Sequence, residues 1–223
     1  MIVYQYRARN PLLTIREMLT SSIPIAGIIV ALFAAAASVS ATALTATALS
    51  EDYSPLHVGL LYLPEAGGAV ITAIVLGMVL GTRFLHWLPL IGMGFLAAGI
   101  AVFLLQVPPS QPQTLVATFL TGIGLGATVA PALFVAGFSL RALNLQRVFA
   151  IVELFRAVAA FMIAPIFVYF AATVSDDLAT GVRDALWIGL ALAVGGAALA
   201  AATYALGGAR AQTPDIDGFI AGR

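Results

Sequence analysis

Residues 23–49 read IPIAGIIVALFAAAASVSATALTATAL. No charge interrupts them, and the run exceeds the roughly 20 apolar residues that a helix needs to cross a bilayer core. Five further runs of the same kind follow: Val58–Leu80, Trp87–Val107, Thr114–Leu140, Phe149–Val174 and Ala185–Leu206. Short segments with breakers or charges join them: Ser50 to Pro55, Gly81-Thr82-Arg83, Pro108 to Pro112, Arg141 to Arg147, and Ser175 to Asp184. Helices joined so closely run antiparallel beside one another. The runs lack period-2 alternation and are too long for barrel strands. The expected fold is therefore an all-α membrane protein with six transmembrane helices.

Composition agrees. Of 223 residues, 61% are hydrophobic and 9% charged, where soluble chains carry about 25% charged residues. A soluble fold of this size has too little interior to hide that much apolar surface. Ten basic and ten acidic residues cancel, so there is no basic excess for nucleic acid and no acidic tail. Cysteine is absent, which excludes disulfides, thiolate metal sites and cysteine nucleophiles. His57 and His86 are too few for a histidine-rich metal site.

Six spans place both termini on one side. With the N-terminus inside, Arg7, Arg9, Arg16, Arg83, Arg141, Arg147, Arg210 and Arg223 are cytoplasmic. Arg183 faces outward beside Glu51, Asp52, Asp176, Asp177 and Asp184. The positive-inside rule favours that orientation, in what reads as a bacterial cytoplasmic membrane. Residues 1–22 then form a cytoplasmic lead-in, 23–206 the membrane domain, and 207–223 a polar tail expected to be disordered. A rival reading makes Ile23–Ala37, with Ser38-Val39-Ser40-Ala41 after it, a cleaved signal peptide. The long segment before it, with Glu17, makes a poor n-region.

Ionisable groups inside spans are expensive and need a reason. Glu65 follows Pro64 and precedes Gly67-Gly68. The proline removes a backbone donor and the glycines admit a close neighbour, so this stretch can line a cavity. A protonated carboxyl is far cheaper there than a charged one, which makes Glu65 a candidate proton-coupling site. The alternative is a neutral Glu bonded to a neighbouring helix, or one wetted at the interface. Glu153 and Arg156, three apart, share a helix face and can neutralise each other; they are either a structural pair or a site for charged substrate or gating. Ser38, Thr42 and Thr45 form a hydroxyl stripe that either faces a polar cavity or packs helices. His57 and His86 fall at span ends, as interfacial residues or as pH sensors.

Gly122, Gly124 and Gly126 could be mistaken for a phosphate loop, but that motif requires a strand before it and a soluble βαβ unit. Inside an apolar run they read as helix packing or a bend, helped by Pro131. No Gly-x-Ser-x-Gly, His-Glu-x-x-His or intramembrane Asp pair is present. The chain reads as no enzyme, with neither cofactor nor metal.

In order, these features resemble the C-terminal six-helix half of a major facilitator superfamily transporter, closest to the fourteen-span drug:proton antiporters. Arg9-Asn10-Pro11-Leu12-Leu13 looks like that family's cytoplasmic lead-in. His57-Val58-Gly59-Leu60-Leu61-Tyr62-Leu63-Pro64 is similar to its Gly-Leu-x-x-Leu-Pro motif. Gly122 to Gly126 with Pro131 resembles its glycine-rich helix, and Arg156 falls where an arginine is common. The loop signature between second and third spans survives as Gly77, Gly81 and Arg83, without its Asp. Glu65 and Glu153 stand where small or uncharged residues are expected.

The resemblance implies two inverted three-helix repeats, half of a major facilitator fold. It implies a secondary active transporter, a proton-coupled exporter of amphipathic organic compounds, with this chain lining one wall of the cavity. The partners are then the lipid bilayer, a small-molecule substrate and a second six-helix half, in the same polypeptide, a separate subunit or a homodimer. The alternative is a non-transporting membrane scaffold or partner-binding module. A six-span channel would need a re-entrant filter segment, for which the loops leave no room.

Overall fold

Hydrocarbon offers no partner to a backbone N–H or C=O, so each apolar run satisfies its own backbone as a helix. The computed structural model describes residues 22–80, 82, 84–138 and 145–206. The expected lead-in (apart from Ser22), the expected tail and Gly81, Arg83, Arg141 and Asn144 lie outside the described residues. So does most of the arginine pattern on which the orientation rests. Among the described residues the helices are α1 (Ser22–Leu49), α2 (Pro55–Leu61), α3 (Leu63–Val79), α4 (Leu88–Leu104), α5 (Gln111–Phe138), α6 (Leu145–Val174) and α7 (Leu178–Leu206). No strand occurs among them. Five helical stretches are long and apolar enough to cross a membrane, α2 and α3 together making one of them, and α4 is a shorter apolar helix. The chain is an all-α integral membrane protein.

Several span boundaries differ from the sequence expectation: the second, fourth and fifth spans start early, at Pro55, Gln111 and Leu145, the last taking in Arg147, and the third and sixth differ as follows. The third span, expected at Trp87–Val107, is the shorter helix Leu88–Leu104, preceded by a 3-10 turn at Leu85–Trp87. Its length is about 26 Å at 1.5 Å per residue. Pro108 and Pro109 lack the N–H groups to continue it, and the Gln113 side-chain amide donates to the carbonyls of Val102 at 2.6 Å, Gln106 at 3.1 Å and Phe103 at 3.2 Å. The sixth span, α7, starts at Leu178 rather than Ala185, which puts Arg183 and Asp184 inside it. Asp177 is the reason: its Oδ2 accepts from the Thr180 N–H at 3.1 Å and the Thr180 hydroxyl at 2.8 Å, capping the first turn.

α1 is apolar on every side, the pattern of a helix surrounded by others. It packs on α4, α5, α6 and α7. Its alanines (Ala26, Ala34, Ala37, Ala41) meet Met93, Leu96, Ile100 and Phe103 of α4 and Val182, Leu186 and Ala193 of α7 in the main core. In its apolar stretch 61% of residues are buried, against 22% for Pro55–Val79 and 6% for Arg156–Val174. The second and fifth spans therefore form the periphery.

Counting α2–α3 as one span, the first span packs against the fifth and sixth, and the fourth against the second and third. The first also meets the fourth, and the third the sixth. Exchanging spans one to three with four to six maps these pairings onto one another. The α6–α7 and α1–α4 contacts have no counterpart of similar extent.

Candidate functional site

The second span is not one helix. Pro64 has no N–H to give, and the Glu65 N–H bonds the Tyr62 carbonyl at 3.1 Å, one residue short of the α-helical partner. That leaves the Leu61 carbonyl free of its own helix. The Thr118 hydroxyl of α5, which donates to its own-helix Thr114 carbonyl at 2.8 Å, reaches the Leu61 carbonyl as a second acceptor at 3.2 Å. From the other side, the Tyr62 hydroxyl bonds Thr45 Oγ1 of α1 and donates toward the Thr42 carbonyl at 3.3 Å. The break is thus held from both α1 and α5.

Glu65 opens α3 immediately after this break. Its position is half-buried, on the side of α3 that carries Gly68 and Thr72, both buried. Among the described residues its carboxyl has no hydrogen-bond or ion-pair partner. Its backbone lies directly on α5: a Cβ added to Gly122 would stand 2.7 Å from the Glu65 Cα and C. The approach continues down the helix. A Cβ on Gly68 would stand 2.7 Å from the Ile123 N, and one on Gly126 would stand 3.0 Å from the Thr72 Cβ. The Thr72 hydroxyl donates to the Gly68 carbonyl at 2.9 Å and reaches across to the Ile123 carbonyl as a second acceptor at 3.3 Å. Small residues let the two backbones meet, the usual basis of helix association in lipid.

The glycine-rich run therefore serves two neighbours. Gly122 and Gly126 face α3, whereas Gly124 faces α4, where a Cβ would stand 2.8 Å from the Leu96 Cα. Gly67 has nothing within 4 Å and points away from the bundle. Pro131 is buried in α5, which continues through it to Phe138. Pro64 is half-buried at the break.

Along α1, Ser38 and Thr45 are buried and Thr42 is half-buried. Each hydroxyl donates to its own helix: Ser38 to the Ala35 carbonyl at 3.3 Å, Thr42 to Ser38 at 2.9 Å, Thr45 to Ala41 at 2.7 Å. Among the described residues only Thr45, of the three, also has a side-chain partner on another helix, Tyr62. The stripe lies inside the bundle, and its far end joins the break near Glu65.

Glu153 and Arg156 pair on α6, with Arg156 Nε donating to Glu153 Oε2 at 2.9 Å and Nη2 to Oε1. The pair stands apart from Glu65, on the least buried span, with the Glu153 side chain 51% exposed. His57 stacks on Tyr53 with ring centroids 5.0 Å apart. The His86 side chain lies outside the described residues. Among those residues no cluster of His, Cys, Asp or Glu is placed to hold a metal ion.

Tyr62, Thr118 and Thr72 were not among the candidates raised by the sequence. Tyr62 had a legible signal, since a phenol two residues before a mid-span proline stands where the backbone ladder fails. Thr118 had none, because its role depends on where α5 lies against the break. No protein-family model and no curated protein matches the chain.

Proposed function

We propose that this chain is a six-helix half-module of a secondary active transporter. It lines one wall of a translocation cavity, and the transporter exports amphipathic organic compounds in exchange for protons. The observation that carries the reading is the packing exchange between spans one to three and spans four to six. Three spans reverse the chain's direction across the membrane, so repeats related in this way are inverted, an arrangement common to transporter folds. The exchange also pairs the second span with the fifth. These are the least buried spans, and they carry Glu65 and the Glu153–Arg156 pair. Charges exposed to lipid are costly. A second six-helix half, or water in a cavity between halves, removes that cost.

Glu65 is the proton-coupling residue in this proposal, because its carboxyl lacks an internal cation while Glu153 has Arg156. The substrate enters the cavity between this wall and the second half. Both termini face the cytoplasm, following the arginine distribution.

Everted membrane vesicles from cells producing the full-length protein test the reading, with ethidium as the probe and an imposed pH gradient. Ethidium flux is expected to follow the gradient, and Glu65→Gln to abolish that dependence at unchanged protein abundance. Unchanged pH dependence in Glu65→Gln would remove the proton role. Saturable, proton-driven flux by the purified monomeric chain in liposomes would overturn the half-module itself.

A further inference from the structure

The short helix α2 stands apart from the main core. Val58 and Leu61 bury with Leu49 at the end of α1, with Ala46, Tyr53 and Tyr62 packed around them, as a separate small cluster. The opposite face of α2 is bare, with Leu56 76% and Leu60 53% exposed. At one end α2 joins α1 through residues 50–54. At the other it joins α3 through Tyr62 and Leu63, where Pro64 has removed a donor and a single tight bond, Glu65 N–H to Tyr62 carbonyl, carries the ladder across. A helix segment with its own small cluster and a weakened ladder at one end has the makings of a hinge.

The side-chain bonds at that hinge have a defined direction. Thr45 has one hydroxyl hydrogen, and the Ala41 carbonyl takes it at 2.7 Å. Tyr62 therefore supplies the hydrogen between the two hydroxyls, with the Thr42 carbonyl at 3.3 Å as a second acceptor on the same side. The phenol is the described side-chain hydrogen-bond link from the break to α1. On the α5 side the Thr118 hydroxyl donates first to its own-helix Thr114 carbonyl at 2.8 Å and reaches the Leu61 carbonyl as a second acceptor at 3.2 Å, so the break keeps this contact with α5 if the phenol lets go.

We propose that α2 is a hinged flap at the end of the bundle, turning about Tyr62–Pro64, and that the Tyr62 hydroxyl latches it to α1 at Thr45. The flap needs neither the proton role of Glu65 nor a second half, so it stands or falls separately from the transport reading. Loss of the latch removes one net hydrogen bond and raises the open population roughly five-fold.

The cysteine-free chain allows two spin labels, at Leu56→Cys on α2 and Leu105→Cys beyond the end of α4, both 76% exposed. Pulsed electron–electron distance measurement on the full-length protein in lipid nanodiscs reads the flap. A single narrow distance is expected for the parent. A second, displaced population is expected for Tyr62→Phe and a smaller one for Thr45→Val, which leaves the phenol the Thr42 carbonyl, and the combined variant is expected to match Tyr62→Phe. Thr47→Val is the control, since that hydroxyl bonds the Ala43 carbonyl of its own helix at 2.8 Å, and it is expected to match the parent. A single narrow distance in both Tyr62→Phe and Thr45→Val overturns the latch, as does equal broadening by Thr47→Val.

Discussion

Replacing Gly122 by alanine inserts a methyl group 2.7 Å from the Cα and C of Glu65. The Glu65 carbonyl oxygen is nearer still, and carbon atoms rest in contact at ~3.5 Å, so α3 and α5 must part by more than about 0.8 Å at that point. Both partners there are main chain, and no side chain can swing aside. The separation also loosens the Gly68 and Gly126 approaches and the Thr72–Ile123 bond along the same seam. Overpacking of this kind costs about 1–3 kcal/mol, and the better helix propensity of alanine returns up to about 1 kcal/mol. Gly67→Ala is the internal control. It lies on the same helix as Gly68 with nothing within 4 Å, so it keeps the propensity gain of about 0.5–1 kcal/mol without the clash. Reversible unfolding in mixed micelles titrated with a denaturing detergent gives both midpoints. Gly122→Ala is expected below the parent and Gly67→Ala at or above it. Equal midpoints for the two variants would refute the claim that the glycine run is a backbone contact surface for α3.

Glu153→Gln should lower yield and thermal stability, because it leaves the Arg156 guanidinium unpaired on the least buried span; adding Arg156→Gln should restore most of the loss in a thermal-shift assay. Asp177→Ala should fray the start of α7, seen as faster hydrogen exchange at Thr180, because two bonds to Oδ2 disappear. The Thr180 hydroxyl and N–H hold the Asp177 carboxyl below the usual aspartate range. Its contribution is therefore complete above the ordinary aspartate pKa and fades as pH falls through the lower folded value, so Thr180 protection should drop on acidification below about pH 4 and be flat between pH 6 and 8. For orientation, cysteines at Thr82 and Asn144 should resist a membrane-impermeant maleimide added outside, and those at Gln111 and Ala179 should react; the reverse pattern would invert the topology.

The spans were legible wherever charge and apolar length agreed. α1 is the clearest case, since nothing within residues 23–49 offers another way to satisfy the backbone in lipid. Span ends were less legible where a side chain rather than hydropathy sets the boundary. Asp177 starts α7 at Leu178 by capping it, and hydropathy had placed that start beyond Arg183 and Asp184. Pro108 and Pro109 cut α4 short of the apolar run that encodes it. The glycines could be read as packing residues but not assigned to neighbours. That Gly68 faces α5 and Gly67 faces away, or that Gly124 serves α4 and its neighbours α3, follows from helix placement that a single chain's pattern does not carry. The Glu153–Arg156 pair was readable from spacing alone. The unpartnered carboxyl of Glu65 was readable only as a cost, and the hydroxyls gathered beside it, Tyr62, Thr45 and Thr118, come from three helices.

The proposed half-module requires that the exposed sides of the second and fifth spans be covered by protein or water, and it leaves those of the third and sixth to lipid. Single cysteines at Val70 on α3, Phe161 on α6, Ile91 on α4 and Trp187 on α7 sample four exposed positions, 60%, 82%, 52% and 56% accessible in the isolated chain. In lipid nanodiscs holding the full-length protein, each is spin-labelled, and its collision rates with apolar oxygen and with a water-soluble nickel chelate are compared. Ile91→Cys and Trp187→Cys are predicted to show the high oxygen and low nickel rates of a lipid-facing site, and Val70→Cys and Phe161→Cys either a raised nickel rate or low rates with both. Lipid-like rates at Val70→Cys and Phe161→Cys would contradict the account.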